Sequence, residues 1–368
     1  MNFLKALAIF LGTIIGVGIF GLPFVASKSG FWVVVGYFVV MAIATIAMNL
    51  IYGSVIMGTE KIHRLPGYVQ EYLGFKWKRF SFLVVALGIT GSLLAYLIIG
   101  GQFLFSCLSP FLGGNIFLYT LLFFSAGSFL VLRGIKSISA VELILLGVLL
   151  VILGLFFVEA FPYINIDNFK TINLEYLILP YGIILFSLGG GSVIPELKEI
   201  LGNKPKMLKA VIISGILITV MIYLLFIYVI QGASVVVSED AISGLGSVLG
   251  EDVIKLGFLF GVIACFTSFL TLALTLKKVL WYDFKFNKNI AWFLTCFIPL
   301  GLFLLGFRKF IDVISFTGAI FFGVEGIILI LLYKKYLKIK LSKEMNPLFY
   351  LLFGVLILGI ILSIFFFR

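Results

Sequence analysis

Apolar positions along this chain come in long unbroken blocks rather than in stripes of period 3.6 or 2. Eleven blocks stand out, near residues 5–26, 31–57, 80–107, 115–132, 138–160, 175–197, 207–231, 252–276, 289–307, 310–332 and 346–367. Most approach or exceed the ~18 residues that carry a helix across a bilayer. Short polar segments separate them. Lipid offers no hydrogen-bond partners, so a chain of such blocks closes its backbone bonds within helices. The pattern predicts an all-α polytopic membrane protein of about eleven transmembrane helices.

Two blocks carry residues that oppose a straight helix. The first contains Gly12-Thr-Ile-Ile-Gly16-Val-Gly18-Ile-Phe-Gly21-Leu-Pro23. Gly costs about 1 kcal/mol against Ala in a helix interior, and Pro removes a hydrogen bond. The sixth contains Phe186-Ser187-Leu-Gly189-Gly190-Gly191-Ser192-Val-Ile-Pro195. Freed backbone at membrane depth survives only where protein buries it or where it lines a cavity. A Gly-xxx-Gly pair such as Gly12 and Gly16 also serves close helix packing, so span 1 alone leaves both readings open.

The polar positions order the spans. With the N-terminus inside, 21 of the 27 lysines and arginines fall on the inner side. The positive-inside rule thus predicts a cytoplasmic N-terminus and, after eleven spans, an outer C-terminus at the cell membrane. The net charge of +11 then reports topology and attraction to anionic lipid, since it is spread over six loops. No single basic face suggests nucleic acid. Lys5 before an apolar run resembles a signal peptide, but no small-residue cleavage site follows, so a retained span is expected. Residues 66–74 read as a short amphipathic surface helix ending at Gly74. The acidic loop 232–252 is expected to cover the outer face.

Composition adds exclusions. The chain of 368 residues is 62% hydrophobic and 12% charged, unlike a soluble domain. Cys107, Cys265 and Cys296 show no pairing pattern, and His63 is the only histidine. No metal cluster, cofactor motif or nucleophile–base pair is expected, so an enzyme is disfavoured.

The two breaks open two sets of five spans, about 5–160 and 175–335. Because five is odd, the second set inserts upside down. The core would cover 1–345, with an added helix over 346–368. Broken helices at matching positions of inverted halves point to a secondary transporter's central site. Half-helix N-termini attract anions and C-terminal carbonyls attract cations. The backbone at Val17 and Gly18 would take a carboxylate, and carbonyls near Ile14, Phe186 and Ser187 an ammonium. With no Lys or Arg inside these spans, a neutral amino acid is expected, and the triple glycine leaves room for a bulky or aromatic one.

The first-span stretch resembles the signature of the amino acid–polyamine–organocation superfamily. Ala264-Cys-Phe-Thr267-Ser268-Phe269-Leu270, His63-Arg-Leu-Pro-Gly-Tyr68 and Pro195-Glu196-Leu197 are similar to its amino acid/auxin permease branch, including hydroxy- and aromatic-amino-acid permeases. The resemblance implies a five-plus-five inverted repeat with spans 1, 2, 6 and 7 moving together. By position it implies substrate contacts at Ile14, Gly16, Val17, Gly18, Tyr96, Phe186, Ser187 and Gly189. It also implies a sodium site from the carbonyls of Gly12, Ile15 and Ala264 and the hydroxyls of Thr267 and Ser268. Those hydroxyls equally bond back to their own helix. Ile19 stands where some relatives complete a second sodium site, and Lys278 where the branch often has Asp.

Coupling by sodium or by protons stays open. Glu325 and Glu142 lie within spans, where carboxylates are costly and often functional. Glu325 could carry a coupling proton, pair with a neighbouring hydroxyl or face inner water; Glu142, closer to the end of its span, is a second proton candidate but is expected to face water. An ion-coupled symporter acting by alternating access is the leading expectation, with small-molecule amino acid and membrane lipid as partners and no obligate protein partner. A sensor or germinant-receptor-like binding protein on the same fold is the alternative, which the short termini disfavour.

Overall fold

The computed structural model describes residues 2–134 and 139–366, and counts below refer to these. Fifteen α-helices follow one another: α1 Asn2–Ile14, α2 Gly18–Ser29, α3 Phe31–Met57, α4 Leu65–Leu73, α5 Phe75–Leu112, α6 Ile116–Arg133, α7 Ser139–Ala160, α8 Leu179–Ser187, α9 Ile194–Leu201, α10 Pro205–Ala233, α11 Glu251–Lys278, α12 Lys288–Leu304, α13 Phe310–Phe316, α14 Gly323–Tyr336 and α15 Leu348–Phe366. The chain is an all-α polytopic membrane protein.

Seven helical rods are long and apolar enough to cross a membrane alone. One of them joins α13 to α14 through a π-helical stretch at Thr317–Phe322. Helices α1 and α2 form an eighth span, bent by 56°. Helix α7, the α8–α9 pair and the 17-residue α12 occupy the three remaining places in the sequence pattern. At 1.5 Å per residue the 38 residues of α5 reach about 57 Å, well beyond a hydrocarbon core of ~30 Å.

Local chemistry sets the ends. Gly30, with φ +112°, turns the chain from α2 into α3. Asn115 caps α6 by accepting from the Leu118 N–H at 3.0 Å. Pro66 stands in the first turn of α4, and Gly74 at φ +90° ends it. The amphipathic surface helix anticipated from the sequence is therefore present. Pro195 opens α9 in the same way, where its missing N–H leaves nothing unpaired.

The breaks sit where the glycines are densest. In span 1 the helix stops at Ile14 and restarts at Gly18, while Pro23 lies inside α2 without breaking it. In span 6 it stops at Ser187, passes Leu188, Gly189 and Gly190, and restarts through a short 3-10 turn at Gly191–Val193.

Spans at equivalent places in the two sets of five pack on each other: α5 on α11, α3 on α10, and span 1 on span 6 through the second piece of one, α2, and the first piece of the other, α8. The α5–α11 seam is the most extensive among the described residues.

Two faces can be told apart. On one lie α4, the start of α1 and the end of α9, where Asn2 Nδ2 donates to the Ile200 carbonyl at 3.3 Å. Lys198 Nζ on α9 donates to the carbonyls of Ile56 at 2.7 Å and Thr59 at 2.8 Å. The opposite face is covered by the 161–178 and 234–250 segments. Asn173 N–H donates there to the Ser29 carbonyl at 3.1 Å. Buried Asp240 is held by Gln102 at 2.8 Å and by Ser238 and Ser243 at 2.5 Å. The 232–252 loop thus covers a face, as its sequence suggested.

Candidate substrate site

The first halves of the two broken spans end against one side chain. Tyr223, fully buried on α10, has its hydroxyl 3.0 Å from the Ile14 carbonyl and 3.0 Å from the Ser187 carbonyl. These carbonyls lack helical partners because their helices stop there. The single hydrogen of the phenol O–H is shared between the two carbonyls and ties the breaks together. Both were anticipated as ammonium ligands, so the structure gives each a partner within the protein.

The glycines let the two broken spans touch. A Cβ at Gly18 would fall on Ser187, 2.9 Å from its Cα, so the start of α2 and the end of α8 meet backbone to backbone. A Cβ at Gly16 would lie 2.6 Å from the Tyr96 hydroxyl oxygen, which places Tyr96 over the first break. At the triple glycine, space is already taken. A Cβ at Gly189 would be 2.8 Å from Phe322, and one at Gly190 would be 2.6 Å from Ile14. The room expected for a bulky ligand at those two positions is therefore filled by neighbours. Only Gly191 stands more openly, with Asn49 Oδ1 3.4 Å and Glu325 Oε1 3.8 Å from where its Cβ would be.

A cavity of about 180 Å³ begins at the breaks and runs toward the α4 face. All eight residues expected at a substrate site line it: Ile14, Gly16, Val17 and Gly18 of span 1, Tyr96 of α5, and Phe186, Ser187 and Gly189 of span 6. Its wall there is mainly apolar and aromatic. Phe186 and Phe322 stack with centroids 5.6 Å apart and planes 3° from parallel. Beyond the break in span 1, buried Phe20 of α2 packs on Phe103 at 4.8 Å and on Phe226 at 6.4 Å. At the α4 end stand Leu65, Pro66 and Arg64, the last paired with Glu196 of α9.

The anticipated ion ligands are divided. Gly12 and Ser268 line the cavity, whereas Ile15, Ala264 and Thr267 do not. Thr267 Oγ1 lies 3.1 Å from each of the Ile263 and Ala264 carbonyls, the back-bonded arrangement of a hydroxyl on its own helix. Glu325 on α14 is on the cavity wall. The side chain of Glu142 lies outside the described residues.

Several lining residues escaped the sequence reading. Phe322 comes from the π-helical stretch and Ser92 from α5. Thr45 and Asn49, one turn apart on α3, face the cavity. Thr45 Oγ1 and Asn49 Nδ2 are buried without a protein partner, a signal of polar contents in that part of the cavity. Gly91 precedes Ser92 and Gly323 follows Phe322, whereas Thr45 and Asn49 have no glycine or proline beside them.

The tryptophan/tyrosine permease family profile matches residues 1–367, and the chain belongs to that family. Curated protein sequences return no match. Solved structures show the fold. MhsT in complex with L-phenylalanine aligns with TM-score 0.69 at 15% identity, over 99% of this chain and 98% of that one. MHP1, a nucleobase-cation-symport-1 family transporter in a closed conformation with bromovinylhydantoin bound, aligns with TM-score 0.67 at 15% identity, over 99% and 91%. The Eremococcus coleocola manganese transporter, in complex with an aromatic bis-isothiourea substituted compound, aligns with TM-score 0.68 at 11% identity, over 98% and 85%. The chain thus has the five-plus-five inverted-repeat transporter fold with broken first and sixth spans.

Proposed function

We propose that this member of the tryptophan/tyrosine permease family is a secondary active transporter that carries aromatic amino acids by alternating access. The observation that carries the reading is the convergence of both broken spans on one cavity that continues toward a single face. The N–H groups that begin α2 at Gly18 form the positive end of a helix and suit the substrate carboxylate. Cavity-lining oxygens at the breaks, Tyr96 and Ser187 among them, suit its ammonium. The ring then lies toward Phe186 and Phe322, where an aromatic face finds aromatic partners.

The α4 face is the cytoplasmic one in this reading, because it gathers most of the basic residues. The N-terminus is then inside, the C-terminus outside, and the cavity inward-facing with Phe20, Phe103 and Phe226 closing the outer route. We assign coupling to a proton at Glu325 rather than to sodium. The carboxylate is on the cavity wall, whereas three of the five sodium donors are away from it.

Uptake of labelled tryptophan and tyrosine into proteoliposomes tests the function. The expected result is accumulation above equilibrium under an inward proton gradient, equal in sodium and in choline. Accumulation that requires sodium would overturn the proton assignment. Absence of uptake of any amino acid under either gradient would overturn transport.

A further inference from the structure

Helices α3 and α14 pack on each other, and they meet closely at one point. A Cβ at Gly326 would lie 2.5 Å from the Met48 sulfur. Asn49 follows Met48 on α3, Glu325 precedes Gly326 on α14, and both line the cavity. Asn49 Oδ1 and Glu325 Oε1 stand 3.4 Å and 3.8 Å from the place a Gly191 Cβ would take. The amide and the carboxyl group therefore flank one open space, beside the turn at Gly191–Val193 that restarts span 6.

Helix α3 brings unspent donors to this part of the cavity. Thr45 and Asn49 are each 3% exposed, and neither Thr45 Oγ1 nor Asn49 Nδ2 has a hydrogen-bond partner in the protein. Thr13, Thr90, Thr120 and Thr219 donate to the carbonyl four residues earlier, as helix hydroxyls commonly do. Thr45 makes no such bond. Buried polar atoms left in this way are uncommon in native proteins. An ionised carboxylate is an acceptor only, with about four lone-pair sites to fill. A half-turn of the Asn49 amide exchanges Oδ1 for Nδ2. The amide can thus accept from a protonated Glu325 and donate to an ionised one. The second bond is roughly twice as strong, because one partner is charged.

Among the described residues, the other titratable side chains on the cavity wall are Tyr52 of α3, Arg64 ahead of α4 and Tyr96 of α5. Arg64 is paired with Glu196 of α9. A phenol stays neutral near pH 7. Of the remaining elements packed on α14, α15 and the π-helical stretches at Thr317–Phe322 and Leu337–Leu341 bring no titratable side chain to the cavity. The donors of α3 are therefore the groups placed to compensate a carboxylate there.

We propose that Thr45 and Asn49 are positioning residues of the coupling step: they hold the ionised Glu325 side chain by hydrogen bonds, directly or through one bridging water, and so ease the loss of its proton toward the α4 face. The inference rests on the proton reading above and deepens it, by naming the groups that receive the charge once the proton has gone. Without those donors the proton is held to higher pH.

Infrared titration of the purified full chain tests this, following the protonated-carboxyl band that Glu325→Gln removes. Asn49→Leu and Thr45→Val keep the side-chain shape and delete the donors. Each should move the midpoint of that band up by about one pH unit, the equivalent of one lost bond to a charge. Thr45→Ser restores the hydroxyl and should return the midpoint to the wild-type value, which a role in packing alone would not do. The pH profile of proton-driven uptake should be displaced in the same direction as the band. If Asn49→Leu fails to insert, the comparison of Thr45→Val with Thr45→Ser decides. Midpoints that stay at the wild-type value when the donors are deleted would overturn the proposal. Proton-driven accumulation that survives Glu325→Gln would instead overturn the coupling reading on which it rests.

Discussion

The Tyr223 hydroxyl and the Ser187 carbonyl stand 3.0 Å apart, and the Ile14 carbonyl is equally near that hydroxyl. One side chain on α10 thus serves the ends of both broken helices. Tyr223→Phe keeps the ring in its packed place and removes the donor. Two buried carbonyls then lose their partner, which should lower stability by about 1–3 kcal/mol. Insertion should be retained and uptake slowed. Thermal unfolding of the purified variant, read beside uptake, checks this. An unchanged melting point would mean the carbonyls find another donor.

Gly18 is fixed by packing as well as by the ligand assigned to it. Because its Cβ would strike Ser187, even Gly18→Ala should lose most uptake and destabilise the protein. A Gly18→Leu variant cannot separate binding from packing for the same reason. Gly36 on α3 supplies the contrast, since a Cβ there meets nothing within 4 Å. Gly36→Ala should be neutral or stabilising by up to about 1 kcal/mol. Comparing the two variants in one uptake and unfolding series gives the check.

Lys277 and Lys278 are adjacent but do different work. Lys277 is buried, and its ammonium donates to the carbonyls of Val131 at 2.6 Å and Leu132 at 3.2 Å at the end of α6. It thereby caps that helix with a charge of the favoured sign. Lys277→Met should cost about 1.5–3 kcal/mol, whereas Lys278→Met, at an exposed position, should stay within about 0.5 kcal/mol. Unfolding midpoints of the pair test the difference.

Glu325 carries the coupling assignment. Glu325→Gln preserves shape and removes the titrating group. It should abolish accumulation driven by a proton gradient while leaving exchange of labelled for unlabelled substrate across the same vesicles. Retained proton-driven accumulation would remove Glu325 from the coupling step.

Much of this was legible in the sequence because the signals were composition and position. All eleven apolar blocks are helical, eight of them long enough to cross a membrane when the bent first pair is taken as one span, since lipid leaves such a chain to close its bonds in helices. Glycine density located both breaks, and the anticipated substrate residues line one cavity. What stayed hidden lies on helices that are apolar all round, where no polar stripe says which face turns inward. Phe322, Ser92, Thr45 and Asn49 are of that kind, and so is the capping role of Lys277. Tyr223 was unreadable for a further reason. Its partners are backbone atoms 209 and 36 residues away, and side-chain patterns do not encode them. The glycines at 189 and 190 misled in the other direction, because the space they leave is taken by Phe322 and Ile14.

The central claim is that the two breaks together hold an aromatic amino acid. A structure of the purified protein with bound tryptophan tests it most directly. The account predicts the substrate carboxylate at the Val17 and Gly18 backbone, the ammonium beside Ser187 and Tyr96, and the ring against Phe186 and Phe322. Tryptophan bound elsewhere, with the space between the two breaks left to water, would contradict it.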